Sequence, residues 1–209
     1  DRARLGEHAG HPLLGAADYK LVHHASNGRC VYSFCMCPGG LVVGATSEPG
    51  RVVTNGMSQH SRNERNANAG IVVGITPADF VEAAVAGQPV HALAGIAFQR
   101  QLESKAYTLG GSTYEAPAQL VGDFVADRAS TSLGSVEPSY KPGVKMVSLN
   151  SALPSYAITA MREALPLFGQ KIKGFDMHDA VMTGVETRTS SPLRIAREDD
   201  SLQSPNLAG

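Results

Sequence analysis

Short apolar runs separated by turn residues fill the first third of the chain. The runs lie at Tyr19–His23, Val31–Met36, Leu41–Ala45, Val52–Asn55 and Ile71–Ile75. Asn27-Gly28 follows the first run, and both residues tolerate the positive φ angles that a tight hairpin turn requires. Pro38-Gly39-Gly40 is a second turn signal between two runs. The pattern predicts an antiparallel β-layer over residues 16–76.

A helical pattern begins at Thr76. Thr is a favoured helix N-cap, Pro77 suits the first helical position, and Asp79 suits the first turn. Farther along, apolar residues at helical spacing predict a longer helix that begins near Leu93 and ends at Gly110-Gly111.

A third helix is predicted over Tyr156–Leu165, where apolar residues recur every three or four positions. Pro166 is expected to stop it, because proline cannot donate a helical hydrogen bond. Residues 111–148 are rich in Gly, Pro, Ser and Thr, which predicts irregular connections with one short element at Gln119–Val125. Residues 77–175 are therefore predicted to form a helical subregion.

A two-stranded ribbon is predicted over residues 176–197. Its strands would be Ala180–Glu186 and Leu193–Arg197, joined by a polar loop. The expected fold class is α+β, with an antiparallel β-layer, a helical subregion and a β-ribbon that returns to the β part.

Composition and charge argue against several classes of function. The 209 residues carry 18 basic and 19 acidic side chains, for a net charge of -1. Nucleic acid is therefore not an expected partner. A membrane is not expected either, since no apolar run approaches the roughly 20 residues of a spanning helix. An odd number of cysteines and the lack of a signal peptide favour a cytoplasmic location.

The three cysteines could also serve a metal or redox site. Cys30, Cys35 and Cys37 lie close in sequence to His23 and His24. Structural zinc sites usually present two separated Cys pairs, and this spacing does not match them. The cysteines are therefore expected to be reduced, metal-free and packed as small apolar groups. Whether one of them has a redox role stays open.

The common cofactor and catalytic fingerprints are absent from the sequence. It has no Gly-x-Gly-x-x-Gly turn after a strand, no P-loop, no His-Glu-x-x-His and no Gly-x-Ser-x-Gly. A self-sufficient dinucleotide enzyme needs a glycine turn at a helix N-terminus to hold the pyrophosphate. The chain is therefore not expected to be a complete enzyme of that kind.

Two polar loops are candidates for ligand contacts. One lies within Thr54–Asn68, between two apolar strands, and the other covers Glu186–Ser191. Both could be solvated surface turns. They could also face a ligand, because loops held by rigid strands often carry binding groups, and Arg binds carboxylates. The residue types alone leave both interpretations open.

Six segments of the sequence resemble a family of bacterial FAD-dependent dehydrogenases. They are Gly10–Pro12, Gly15–Lys20, Phe34–Gly40, Thr46–Ser58, Glu137–Tyr140 and Gly184–Pro192. Together they span nearly the whole chain in order, and such long runs are more specific than a short glycine pattern.

The resemblance implies that residues 1–209 are the inserted substrate or cap domain of a flavoprotein oxidoreductase. In that family the FAD pyrophosphate binds a Rossmann-type unit, which is expected outside this chain in the same polypeptide. FAD is the expected cofactor of the full-length protein, and the fragment alone should bind it weakly or not at all and be inactive. The expected partners are that FAD-binding domain and a small-molecule substrate. The alternative is a non-catalytic ligand-binding or scaffold domain.

The polar loop of the ribbon is the main candidate for contacts with flavin and substrate, because it shortly precedes the expected return to the FAD domain. Arg188 is expected to anchor an anion or carbonyl, with Glu186 holding its guanidinium. The supporting residues are expected to be Thr187, Thr189, Ser190 and Ser191 in the same loop and Asn55, Ser58 and Arg62 in the other. Replacing Arg188 by Ala should weaken substrate binding and leave the melting temperature nearly unchanged.

Overall fold

One long strand, β2 (Cys30–Gly44), organises the larger sheet. The computed structural model of the chain describes residues 5–15, 17–83, 93–188 and 196–205. β1 (Leu21–His24) pairs antiparallel with the first part of β2, and β3 (Thr54–Met57) pairs with its last residues. β4 (Asn66–Val73) runs antiparallel along the other edge of β2. The predicted antiparallel β-layer is confirmed.

The Pro38-Gly39-Gly40 segment does not form the turn that its sequence predicts. The chain continues through it as one strand, which pairs with β4 as far as Gly40. The register with β4 shifts between Phe34 and Cys37 and again between Cys37 and Gly40. These irregularities absorb the proline and the positive φ of 54° at Cys35. The expected hairpin is therefore a bent strand.

A smaller sheet forms from segments that are distant in sequence. β5 (Ala116–Leu120) lies in its centre, parallel to β6 (Val144–Met146) and antiparallel to β7 (Val181–Thr183). Every residue of β5 is buried. The region predicted to be helical, 77–175, thus also contains two strands. The predicted α+β class is confirmed, with this mixed sheet as an additional layer.

The first strand of the predicted ribbon is present, but in the described part of the chain it does not pair with the second predicted strand. β7 lies within the predicted strand Ala180–Glu186 and pairs with β5. Within the second predicted strand, residues 193–195 lie outside the described residues, and Ala196 and Arg197 are not in a strand.

Two predicted helix positions agree with the structure. A 3₁₀-helix spans Pro77–Ala83 and begins at the predicted proline, and the Asp79 carboxylate accepts a hydrogen bond of 2.6 Å from the backbone N–H of Thr76. Helix α1 (Ala94–Leu109) ends at Gly110, as predicted. Shorter 3₁₀-helices span Gly6–His8 and Leu149–Ser151.

The remaining helices are α2 (Val121–Val125) and α3 (Ser155–Lys171). Pro166 does not end α3, contrary to the sequence prediction. Proline removes one hydrogen bond from a helix, but Phe168 in the following turn is fully buried. Burial of an aromatic side chain contributes about 2–3 kcal/mol, which offsets the lost hydrogen bond.

The main core lies where α3 packs against β1, β2, β4 and α2. Val31 of β2, Phe124 of α2 and Phe168 of α3 are fully buried in it. This packing holds α3 across the larger sheet and leaves a space between them. Among the described residues, no helix is both long enough and apolar enough to cross a membrane.

Candidate ligand cavity

A cavity of about 810 Å³ lies between the larger sheet and α3. β4 lines it along its whole length, residues 66–73, and residues 183–187, at the end of β7 and directly after it, form another wall. Small-molecule sites in proteins range from about 300 to 1,000 Å³, so the space is large enough for a small organic ligand.

Most of the cavity wall is apolar. Side chains from several elements form it, including Val42, Ile71, Phe98, Leu102, Met161 and Phe175. Apolar walls exclude water and favour a ligand with a flat or hydrophobic body. The few polar groups therefore decide how such a ligand is oriented.

Glu186 places a carboxyl group at this apolar wall. The side chain is half-buried, and no described residue gives it a hydrogen-bond partner or an ion pair. Burial raises its pKa above the ordinary value of 4.5. One oxygen lies above Gly70, where an added Cβ would be 3.2 Å from Glu186 Oε2. The glycine in β4 therefore provides the room that the carboxyl group occupies.

Asn68 adds an amide to the same wall. Its Oδ1 and Nδ2 atoms are both buried and lack hydrogen-bond partners among the described residues. Gly56 faces this amide, and a Cβ there would collide with Oδ1. Leaving a buried amide unpaired costs about 1–3 kcal/mol, so a bound polar group could satisfy it. Asn55, an exposed residue, also lines the cavity.

Hydrogen bonds from three elements fix the segment that carries Glu186. The backbone N–H of Thr54 in β3 donates to Val185 O at 2.9 Å. The Gly184 N–H donates to Pro117 O, and the Gln99 side chain of α1 donates to Thr187 O, both at 2.9 Å. The segment is therefore held between the two sheets and α1.

Arg188 is held by Glu103 of α1, not by Glu186 as the sequence suggests. Its Nε and Nη2 atoms donate to the two oxygens of Glu103 at 3.0 Å each, and Nη1 donates to Ser47 Oγ at 3.1 Å. The Thr187 hydroxyl donates to Glu103 Oε1 at 2.7 Å. Arg188 does not line the cavity, and most of its donors are already used.

The sequence analysis did not identify Glu103, although a signal for it exists. Glu103 falls between Leu102 and Ala106 on the buried side of α1, and its own exposure is 0%. A carboxylate on the apolar side of a helix needs a buried partner. That pattern predicts a nearby cation but does not identify it as Arg188.

The structure brings together only part of the predicted site. Asn55, Glu186 and Thr187 all line the cavity. Ser58 and Arg62 are exposed and lie outside its lining. Thr189, Ser190 and Ser191 lie outside the described residues.

All three cysteines lie in β2. Cys30 Sγ is 3.0 Å from His24 Nδ1, while Cys35 is exposed and Cys37 Sγ is 3.5 Å from Cys35 O. None of the three forms a disulfide bond. Over the described ranges, no group of three His, Cys, Asp or Glu side chains could share a metal ion. The absence of metal and the reduced state remain predictions.

The described lining of the cavity suits a flat ring system better than a pyrophosphate. An apolar wall with an unpaired amide at Asn68 and a carboxyl at Glu186 could contact a flat ring system with polar edges. Of the described lining residues, Arg65 is the one with a basic side chain, and it already pairs with Glu137 at 2.6 Å. Within the described part of the lining there is therefore no unpaired cation for a pyrophosphate.

The chain is similar to known sequences over almost all of its length. The family described as "FAD-dependent protein, C-terminal domain-like" matches residues 1–189. An uncharacterised protein of Clostridium beijerinckii (strain ATCC 51743 / NCIMB 8052) is 49% identical over 207 residues. The match covers 99% of this chain and 37% of that protein.

Proposed function

The chain belongs to the family of FAD-dependent proteins whose domain is described as C-terminal domain-like, and from this we propose that it is the substrate-binding domain of an FAD-dependent dehydrogenase. FAD supplies hydride acceptance when it is bound. The residues of this chain would enclose the reacting groups, exclude water and orient the substrate. The FAD pyrophosphate would bind to a part of the polypeptide outside this chain.

The observation that supports this proposal most is the composition of the cavity. It brings Asn55 of β3 together with Glu186 and Thr187, which are more than a hundred positions away in sequence. All three residues belong to the polar loops that the sequence predicts for flavin or substrate contact. Their apolar surroundings would strengthen any hydrogen bond that they make to a ligand.

Glu186 has the properties of a residue that holds or accepts a proton. Its carboxyl is half-buried, lines the cavity and has a raised pKa because burial disfavours its charged form. Asn68 would orient the ligand through its unpaired amide. Glu103 and Arg188 would act as positioning residues, since they hold the segment behind Glu186 without lining the cavity.

The flavin of the full-length protein offers a direct test. Removing the charge of Glu186 with Glu186→Gln should change the visible absorption spectrum or the midpoint potential of the bound flavin, because these respond to nearby charge. The matched control is Glu7→Gln, which removes the same charge from a side chain that is 89% exposed and not in the cavity lining.

Two results would argue against the proposal. If Glu186→Gln left both the spectrum and the potential unchanged, the cavity would belong to the alternative, a non-catalytic ligand-binding domain. If this chain alone retained one FAD per molecule after gel filtration, the pyrophosphate would bind here and not elsewhere. We expect the chain alone to lose FAD on the column.

A further inference from the structure

The cavity has an unbalanced set of charges. Of the described residues that line it, Glu186 and Arg65 carry ionisable acidic or basic side chains. Arg65 donates to Glu137 Oε2 at 2.6 Å and to Ser135 O at 3.3 Å, and its side chain is 62% exposed. Its positive charge is therefore compensated and partly solvated. Among the described residues, the carboxyl of Glu186 has no such partner.

Two other glutamates in the described part of the chain differ from Glu186 in this respect. Glu103 accepts hydrogen bonds from Arg188 and Thr187, and Glu163 accepts them from His23 and Ser26. Both carboxylates are stabilised by donors that belong to the chain. Glu186 lies at an apolar wall with its oxygen above Gly70, so its missing donor would have to come from outside the described structure.

We infer that the cavity selects ligands with an apolar body and a protonated amine, and that Glu186 is the residue that binds the amine. This deepens the proposed function, because it names a chemical class for the substrate of the same cavity. An ammonium group supplies both the positive charge and the N–H donors that the carboxylate lacks. The apolar side chains around it, such as Ile71 and Phe98, would contact the hydrophobic body.

The same arrangement disfavours anionic ligands. A ligand carboxylate in the cavity would lie near the Glu186 carboxylate, and like charges in a weakly solvated space repel strongly. Of the cations that the structure describes near the cavity, Arg65 is engaged by Glu137 and Arg188 by Glu103. The predicted role of Arg188 as an anion anchor stays a prediction, and the selectivity proposed for the cavity comes from Glu186.

Three aromatic probes of similar size and different charge test this inference on the 209-residue chain. Phenethylamine is cationic at neutral pH, phenethyl alcohol is neutral and hydrocinnamate is anionic. Their dissociation constants can be measured by ligand-observed NMR or calorimetry. We expect phenethylamine to bind at least about tenfold more tightly than either of the others, the usual effect of one charge-assisted hydrogen bond.

The variant Glu186→Gln should bring the affinity for phenethylamine close to that for phenethyl alcohol. Glu7→Gln, which removes the same charge elsewhere, should leave the preference intact. Circular dichroism would show whether each variant is folded, and the ranking of the probes on the unmodified chain tests the inference without any variant. Equal affinities, tighter binding of hydrocinnamate, no binding of any probe, or an unchanged preference in Glu186→Gln would each overturn it.

Failure of this inference can be told apart from failure of the proposed function. The probe ranking involves no flavin, whereas the spectrum and potential of the full-length protein involve no amine. A flavin that responds to Glu186→Gln, combined with equal binding of the three probes, would retain the flavin-facing domain and reject the amine.

Discussion

The guanidinium of Arg188 and the carboxylate of Glu103, in the middle of α1, form a two-point ion pair. Nε–Oε1 and Nη2–Oε2 are both 3.0 Å, and Glu103 is fully buried while the Arg188 side chain is 42% exposed. A buried carboxylate left without its cation is costly. The pair therefore links the position of segment 183–188 to the stability of the fold.

This arrangement changes the result expected for Arg188→Ala. The variant would leave the Glu103 carboxylate buried with only the Thr187 hydroxyl as a described side-chain donor. Removing one partner of a fully buried pair costs about 3–5 kcal/mol, and the partial exposure of Arg188 reduces this to about 2–3 kcal/mol. Urea denaturation should therefore show a clear loss in the free energy of unfolding, where the sequence analysis expected almost none.

Arg65→Ala provides the control for that measurement. Arg65 also pairs with a glutamate, but the side chains of Arg65 and Glu137 are 62% and 74% exposed. Exposed pairs contribute about 0–1 kcal/mol. Similar losses in the two variants would show that the Glu103–Arg188 pair has no special structural role.

The glycine beneath Glu186 can be tested with Gly70→Ala. The new Cβ would lie 3.2 Å from Glu186 Oε2, so the flexible end of this side chain has to move by a few tenths of an ångström. We expect phenethylamine binding to weaken severalfold with little change in melting temperature. Gly44→Ala is the matched control on β2, because its Cβ would make only ordinary contacts, 3.7 Å from the Tyr140 hydroxyl. Equal binding by both variants would contradict this account of Gly70.

The hydrogen bonds of Glu163 predict that the fold loses stability in acid. Its carboxylate accepts hydrogen bonds from the backbone N–H and hydroxyl of Ser26, and from His23 Nε2 at 2.7 Å. Donation from the Ser26 N–H, followed by that from His23, lowers the pKa of Glu163 from 4.5 to about 2. Because the pKa is lower in the folded state, this stabilisation is present above about pH 4.5 and is lost as the pH falls toward 2.

The variant Glu163→Gln should therefore melt at a lower temperature than the unmodified chain at pH 7, and the difference should shrink between about pH 4.5 and 2. Thermal melts over this pH range measure it. Glu137→Gln, at a side chain that is 74% exposed, should show a much smaller difference at pH 7. A difference for Glu163→Gln that grew on acidification would have the wrong sign for this mechanism.

The buried side chain of Gln119, in β5 of the smaller sheet, forms hydrogen bonds with two backbone groups. Its Nε2 donates to Arg128 O at 2.6 Å, and its Oε1 accepts from the Leu149 N–H at 2.8 Å. Gln119→Leu would leave both backbone groups without this partner, and we expect a loss of about 2 kcal/mol or more in unfolding free energy. The exposed Gln170 gives the control variant Gln170→Leu, which should change stability little. Unchanged denaturation of Gln119→Leu would show that other groups or water satisfy both positions.

Local patterns in the sequence determined where several elements begin and end. The Asn27-Gly28 turn joins β1 to β2, a 3₁₀-helix begins at Pro77, and α1 ends at Gly110. In each case the residue that carries the signal acts on its own backbone or on that of its nearest neighbours. Such signals are readable from the sequence because they depend little on the rest of the fold.

Tertiary packing decided the elements that local signals misassigned. The Pro38–Gly40 segment stays extended because β4 pairs beside it, and α3 continues past Pro166 because Phe168 is buried beyond it. β5 and β6 are paired with each other although they are short and far apart in sequence. Pairing and burial across long sequence separations outweigh local preferences of about 1–3 kcal/mol.

For the site, the residue types and membership of an FAD-dependent family were readable from the sequence, since long motifs and polar loops between apolar strands are visible in it. Which of these residues face the cavity depends on how the distant segments of the chain pack together. Arg188 and Glu186 are two positions apart in sequence, yet Arg188 is paired with Glu103 and Glu186 faces an apolar space. The physical reason is that a charge takes its role from the partners and solvent around it, and those are set by the packing of α1, β4 and the segment after β7.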